Sequence, residues 1–313
     1  MNATVLSAQE SEQKTIEAVS AARPKLFGKF QVDGDKSWSS PYISVRQLIF
    51  RPGSKLIFDE AVTRANRNLF IFADEIISED QEKPGTITWV DIAPSLPPAA
   101  GSGAAGSNMG HHENAPGGVG SAGPAGLRGE LGATAPSLTI VVKNLSGGLK
   151  IDLRGEDGGP GGGGGTGGAG GQGGRGTNAS QTMFECRSGA GNGAQGGAGG
   201  PGGVGGQGGD GGRGGTFTLI TNSESVAVLT RLVAVDLTPG NGGPGGPAGP
   251  GGPGGPGGPG GADARPYCQG SGDQGPAGAA GGQSAAGANG QAGVPGQYYV
   301  GGLSIADIED ALR

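Results

Sequence analysis

Segments of this chain hold glycine in a three-residue register that leaves only one side chain per triplet, and two show it most plainly. The first reads Gly-Gly-Pro160, Gly-Gly-Gly163, Gly-Gly-Thr166, Gly-Gly-Ala169, Gly-Gly-Gln172, Gly-Gly-Arg175. The second carries proline at Pro244, Pro247, Pro250, Pro253, Pro256 and Pro259, with the positions between almost all glycine. An extended polyglycine II or polyproline II helix has three residues per turn, rises about 3.1 Å per residue and makes no internal hydrogen bonds. A buried helix of this kind must bond to its neighbours. Neighbours that close leave no room for a Cβ, so every face in contact must be glycine.

The triplets are grouped into excursions, each with an outgoing arm, a tip without triplets and a returning arm. Three such hairpins are expected, at 97–134, 155–215 and 240–297. Arms of the second and third run to roughly 22 residues, or roughly 65 to 70 Å at the helix rise. The second hairpin carries two glycines per triplet on both arms. The first and third return with one, at Gly117, Gly120, Gly123, Gly126, Gly129 and Gly132, and at Gly275, Gly278, Gly281, Gly287, Gly290 and Gly293, broken at Ser284. Two glycine faces imply close neighbours on two sides, so the second hairpin belongs in the middle of a six-arm bundle. Collagen and a disordered linker compete. A collagen triple helix needs no second glycine per triplet, and disorder does not require matched arm lengths.

Between the arms the chain reads as β. A strand pair recurs three times: Leu69-Phe70-Ile71-Phe72 with Ile87-Thr88-Trp89-Val90, Leu138-Thr139-Ile140-Val141-Val142 with Leu149-Lys150-Ile151, and Phe217-Thr218-Leu219-Ile220 with Leu232-Val233-Ala234-Val235. Each ends in an apolar-Asp-apolar step, at Asp91, Asp152 and Asp236. The expected class is mainly β. A β-solenoid or β-sandwich base covers 27–96, with further β units at 136–154 and 216–239. Residues 298–313 read as a strand and short helix, and 1–26 as a tail or attachment helix, helical over 11–22 and ended by Pro24.

The registered arms and tip loops look like the polyglycine II sandwich of phage tail-fibre tip adhesins, an architecture that glycine-rich antifreeze proteins share. The resemblance covers roughly 97–297 and is one of architecture, not of a specific motif. It implies that loops at the bundle end bind a bacterial surface receptor. Arg, Asp and Gln on the arm faces argue against an antifreeze role.

The tips gather the scarce reactive side chains: Met109, His111 and His112, then Met183, Phe184, Cys186 and Arg187, then Arg265, Tyr267 and Cys268. On loops held by a rigid scaffold these suit recognition. They equally suit plugs that close the bundle end, with Cys186 and Cys268 as a disulfide or packed thiols. A metal or catalytic Cys/His site is disfavoured, because adjacent His111 and His112 are poor ligand spacing and no further histidine is available. The Asp91, Asp152 and Asp236 row admits a β-helix carbohydrate-active enzyme. The plainer reading is that each aspartate bonds backbone at the strand-to-arm exit.

Net charge is -6, without a Lys/Arg cluster, so nothing supports nucleic-acid binding through phosphate neutralisation and no nucleic-acid partner is expected. No apolar run approaches the ~20 residues of a membrane span. Residues 1–14 lack an apolar core, so no Sec-type signal peptide is expected. No P-loop or hydrolase motif is present, and no cofactor or metal is expected. The expected function is non-enzymatic binding or adhesion through the tips, in a fibre or particle. The alternative is a structural subunit whose arms pack against other subunits. Partners are a cell-surface receptor or other subunits, within a homo-oligomer or larger assembly. A virion or extracellular surface is favoured over cytoplasm.

Overall fold

The computed structural model describes residues 27–65, 67–90, 95–98, 100–110 and 112–312. The expected attachment helix, Asp91 and His111 lie outside the described residues.

The fold is mainly β, with two parallel sheets. One is built from β1 (Phe27–Val32), β3 (Tyr42–Phe50), β5 (Asn68–Ser78), β7 (Ser137–Ser146), β11 (Thr216–Asn222) and β13 (Gln297–Leu303), in that order. The other is built from β2 (Asp35–Trp38), β4 (Lys55–Phe58), β6 (Gly85–Trp89), β8 (Leu149–Asp152) and β12 (Val233–Asp236). Successive strands alternate between the sheets, so the strand pair recurs from β1 onward rather than starting at Leu69. The parallel register stacks like on like. Ile43, Ile71, Ile140, Leu219 and Val300 form one ladder, and Leu56, Ile87, Ile151 and Val235 another. Their inward side chains make the core, with Phe50, Phe58, Leu69 and Phe217 fully buried.

Two helices interrupt what the sequence pattern reads as strand and turn. Helix α1 (Glu60–Ala65) starts where the Asp59 carboxylate accepts the Val62 N–H at 2.9 Å, an N-cap with too short an apolar stripe to register as periodicity. Helix α2 (Val226–Leu232) takes Leu232 out of the expected strand and buries Leu229 at the C-terminal end of the core. The expected C-terminal helix is α3 (Ile305–Leu312), whose Ile308, Ala311 and Leu312 pack on Phe72, Val141 and Ile220 on the outer face of the first sheet.

The glycine-rich segments run as six arms, over 100–109, 116–135, 155–176, 191–215, 240–261 and 272–296, numbered here 1 to 6. Arms 1 to 4 each donate backbone hydrogen bonds to the arm two places later. Gly103 N–H donates to Thr166 O at 2.7 Å, Gly123 to Pro201 at 2.9 Å, Gly164 to Pro247 at 2.9 Å and Gly196 to Pro276 at 2.9 Å. Arms 2 to 6 each donate to the arm before: Gly118 to Ser107 at 2.8 Å, Gly165 to Pro124 at 2.8 Å, Gly203 to Gly165 at 2.7 Å, Gly249 to Gly203 at 2.9 Å and Gly278 to Gly255 at 2.8 Å. Outgoing arms 1, 3 and 5 therefore lie in one layer and returning arms 2, 4 and 6 in the other. Arms 3 and 4 each bond four others.

These bonds explain where glycine is required. On arm 4 a Cβ at Gly202 would lie 1.9 Å from Gly249 O of arm 5, and one at Gly203 would lie 1.9 Å from Pro124 O of arm 2. One glycine row clears the following arm, and the next row clears the arm two places earlier. Arm 2 has no arm two places before it, and keeps only the first row: a Cβ at Gly120 would meet Gly168 O at 2.0 Å, while Ser121 follows. Arm 6 has no arm after it, and keeps only the second: a Cβ at Gly278 would meet Gly197 O at 1.9 Å, while Ala277 precedes it. No described arm glycine has positive φ, so the missing side chain, not backbone freedom, is what the arms use. At the Ser284 break, the hydroxyl donates to Gly202 O instead.

Asn and Asp side chains act as substitute carbonyls between arms. Asp210 accepts the Gln291 N–H of arm 6 at 2.9 Å and pairs with Arg128 of arm 2 at 2.7 Å. The Gln291 bond, and after it Arg128, hold the Asp210 carboxyl below its ordinary pKa. A lowered folded-state pKa contributes stability present above the unfolded value and lost as pH falls through the folded one. The Gln291 amide resonance should therefore titrate with a midpoint below the usual aspartate range of about 3.9. A midpoint at or above that range would count against the tie. For the arms, Gly206→Ala places a Cβ 1.9 Å from Leu127 O, whereas Gly282 has nothing within 4 Å. The first should cost about 3 kcal/mol of stability in denaturant unfolding. Gly282→Ala should be neutral or stabilise by up to about 1 kcal/mol. Equal effects would refute the close-approach account.

Candidate functional site

The inter-arm ladder ends at one level on the second and third hairpins. Gly191 N–H donates to Thr177 O at 2.8 Å, Gly261 to Gly191 at 2.9 Å and Gly272 to Gly261 at 2.9 Å. Beyond it stand two tips. The second tip is a small antiparallel hairpin, β9 (Ser180–Gln181) and β10 (Cys186–Ser188). Its turn closes through Thr182, whose N–H donates to Glu185 O at 2.9 Å and whose hydroxyl accepts the Glu185 N–H at 3.1 Å. This geometry puts Met183 and Phe184 at the apex, 82% and 83% exposed. Arg187 is exposed beside them on β10.

The third tip closes on itself through Ala264 and Cys268, which exchange backbone bonds of 2.9 and 2.8 Å around a cis Arg265–Pro266 bond. Arg265 points to solvent and pairs with Asp263 at 2.9 Å, and Tyr267 is half exposed. The two tips are joined. Cys186 and Cys268 form a disulfide with Cα atoms 4.8 Å apart. The Gln181 amide donates to Arg265 O and accepts the Tyr267 N–H at 3.0 Å. At their bases Ala179 N–H donates to Ala262 O at 2.9 Å, and Asn178 Oδ1 accepts the Ala262 N–H at 2.9 Å.

The first tip lies beside the end of arm 3, at the same end of the arms. Met109 N–H donates to Gln172 O at 2.9 Å, and Asn114, with φ of 58°, donates to Arg175 O at 3.0 Å. Met109 is half-buried, and His112 is exposed, its N–H on Met109 O at 2.8 Å. Arg175 in turn donates to Asn178, which links this tip to the other two. The structure thus brings Met183, Phe184, Arg187, Arg265 and Tyr267 together around the cystine, with Met109 and His112 alongside arm 3.

Gln181, Asn178 and Thr182 escape the sequence reading, although they position everything else. Asn108 and Asn192 show the signal that finds such residues. They also stand at the ends of the triplet runs, and each accepts a backbone N–H from another arm, at 2.8 Å.

At the opposite end, a cleft of about 360 Å³ is lined by Trp89, Asp152, Arg154, Glu156, Asp157 and Asn241 where arms leave the sheets. Its aspartates are engaged. Asp152 pairs with Arg154 at 2.8 Å, and Asp157 accepts the Asn241 N–H at 2.6 Å. Asp236, outside the cleft, accepts the Thr238 N–H at 3.2 Å and its hydroxyl at 2.9 Å. Among the described residues no group of three or more His, Cys, Asp or Glu could hold a metal ion, and no helix is long and apolar enough to cross a membrane.

Reduction should release two thiols and lower stability by roughly 4.5 kcal/mol, the loop-closure value for a separation of 82 residues. Thiol titration alongside thermal unfolding checks this. Unchanged melting after both thiols appear would show that Gln181 and the arm ends hold the tips alone.

No family model and no curated protein sequence matches the chain. Among solved structures, it is similar to the nine polyproline type II helical bundle antifreeze protein of the springtail Granisotoma rainieri. Identity is 25%, over 59% of this chain and 94% of that one, with a TM-score of 0.10 that carries no argument about fold or function.

Proposed function

We propose that this chain is a non-enzymatic binding or adhesion protein. In this reading the base is a β-solenoid, and the three hairpins form a polyglycine II bundle that carries recognition loops at its far end. The alternating parallel sheets support the first part. The three-residue ladder of inter-arm bonds and the required glycine rows support the second.

The observation that carries the function is the apex of the second tip. Met183 and Phe184 are four-fifths exposed on a hairpin that is itself pinned by a disulfide and by Gln181. A protein that orders a loop this tightly and leaves its largest apolar side chains in water exposes them for a partner. Arg187, Arg265 and Tyr267 frame that surface, with Met109 and His112 at its margin. The partner is a cell-surface receptor, and the chain is part of a fibre or particle. A cystine fits an oxidising setting, hence an extracellular or particle surface.

The alternative, arms packing laterally against other subunits, meets side chains at both edges of the array. Arm 6 has Ala277, Ala280, Gln283, Ala286, Asn289 and Ala292 in the row where a following arm would need glycine.

The test is a labelled chain offered to immobilised glycans and bacterial envelope fractions. Retention should fall by at least tenfold in the triple variant Phe184→Ser, Arg187→Ala, Tyr267→Ala, with the arm amides still protected from exchange. Retention that survives the triple variant, or none on any surface, would sink the reading.

A further inference from the structure

The two ends of the parallel sheets are finished differently. At the N-terminal end, β1 carries exposed Lys29, and exposed Lys36 of β2 pairs in register with Leu56. There a charge stands where the apolar ladder would continue, one of the usual ways to blunt a sheet edge. Among the described residues the first sheet stops, at its C-terminal end, at β13, which has no charge and no proline. Its Tyr298, Tyr299 and Val300 are 39%, 44% and 39% exposed. Val300 is the last member of the ladder that runs through Ile43, Ile71, Ile140 and Leu219. Tyr298 stacks on Phe217 with ring centroids 5.2 Å apart, and its burial there pushes its hydroxyl pKa up.

A second copy cannot extend this sheet in parallel in the same register. The ladder sets Phe27 of β1 level with Val45, Ala73 and Val142, and so with Gly302 of β13. A following β1 would meet only the last two residues of β13 before α3 begins at Ile305.

Antiparallel pairing can use the whole strand, and the partner's arms then point the opposite way. The strand is also complementary to itself. Centred on Val300, an antiparallel pair sets Tyr298 opposite Gly302, Tyr299 opposite Gly301 and Gln297 opposite Leu303. Each tyrosine faces a glycine on the same side of the sheet, where an aromatic ring covers the bare backbone. Val300 meets its own copy and carries the apolar ladder across the axis. We infer that β13 is a homodimer interface, in which two copies pair edge to edge and antiparallel about Val300, with their arms and tips projecting from opposite ends. Such an interface is isologous and closed, so association stops at two.

Sedimentation equilibrium of the full chain should give twice the 30.2 kDa chain mass. Val300→Lys sets two ammonium groups face to face, and should raise the dimer dissociation constant roughly 100-fold with circular dichroism unchanged. Because both native cysteines are paired, Val300→Cys adds the one free thiol among the described residues. Opposed residues in an antiparallel pair sit about 4.5 to 5.5 Å apart at Cα, within disulfide reach. Mild oxidation should therefore give a covalent dimer even if the lysine variant fails to fold. A monomer at all concentrations overturns the inference. So does a dimer that Val300→Cys does not cross-link, or one cross-linked in a Lys29→Cys, Val300→Cys double variant only between positions 29 and 300.

Discussion

The backbone hydrogen bond between arms is the interaction on which the rest of this molecule depends. Along most of the array it forms where two chains approach until a single Cβ would be about 2 Å from a carbonyl oxygen. Glycine is the only residue that permits this, and it is also the residue whose backbone loses most entropy on ordering. The arms offset that loss by bonding almost every interior N–H, and by placing proline, already restricted in φ, along one exposed face of arm 5. No apolar core is needed where backbone packs directly on backbone.

The sheets and arms share one connectivity. Leaving aside the tip hairpin β9–β10, each strand of the sheets pairs with the strands two places away, and each arm bonds the arms one and two places away. The transition is continuous. Leu153 N–H donates to Asp236 O at 2.9 Å, and Gly215 to Leu153 O at 2.8 Å, so the ladder passes from strand to arm without a break. The apolar base thus sets the register of the arms. The arms, lacking a core, carry that order to the tips.

Order at the tips comes from other chemistry. Beyond the last triplet, side-chain amides, a disulfide and short turns replace the regular ladder. This change lets the tips crowd several large side chains together, where the arms present one outward row at a time. The cystine joins two tips of separate hairpins, and the Gln181 amide reads the backbone of one from the other. The result is a composite surface rather than three independent loops.

By itself the sequence determined which residues lie against another backbone. Only glycine can occupy those positions, so Gly117 to Gly132 and Gly275 to Gly293 mark one close face each, and the arms of the second hairpin two. It also determined the strand ladders, because β-branched and aromatic residues recur at the same phase, as in Ile71, Ile140 and Leu219. Tertiary structure alone decided how the tips meet. The Cys186 and Cys268 pairing depends on adjacent hairpins ending at the same height. The Gln181 amide takes its partners from a segment over 80 residues away, and Asn178 joins that segment to nearby Arg175. Helices α1 and α2 were hidden for a related reason. Each is too short for its own periodicity to outweigh its flanking strands, and burial of Val62 and Leu229 against those strands supplies what local propensity does not.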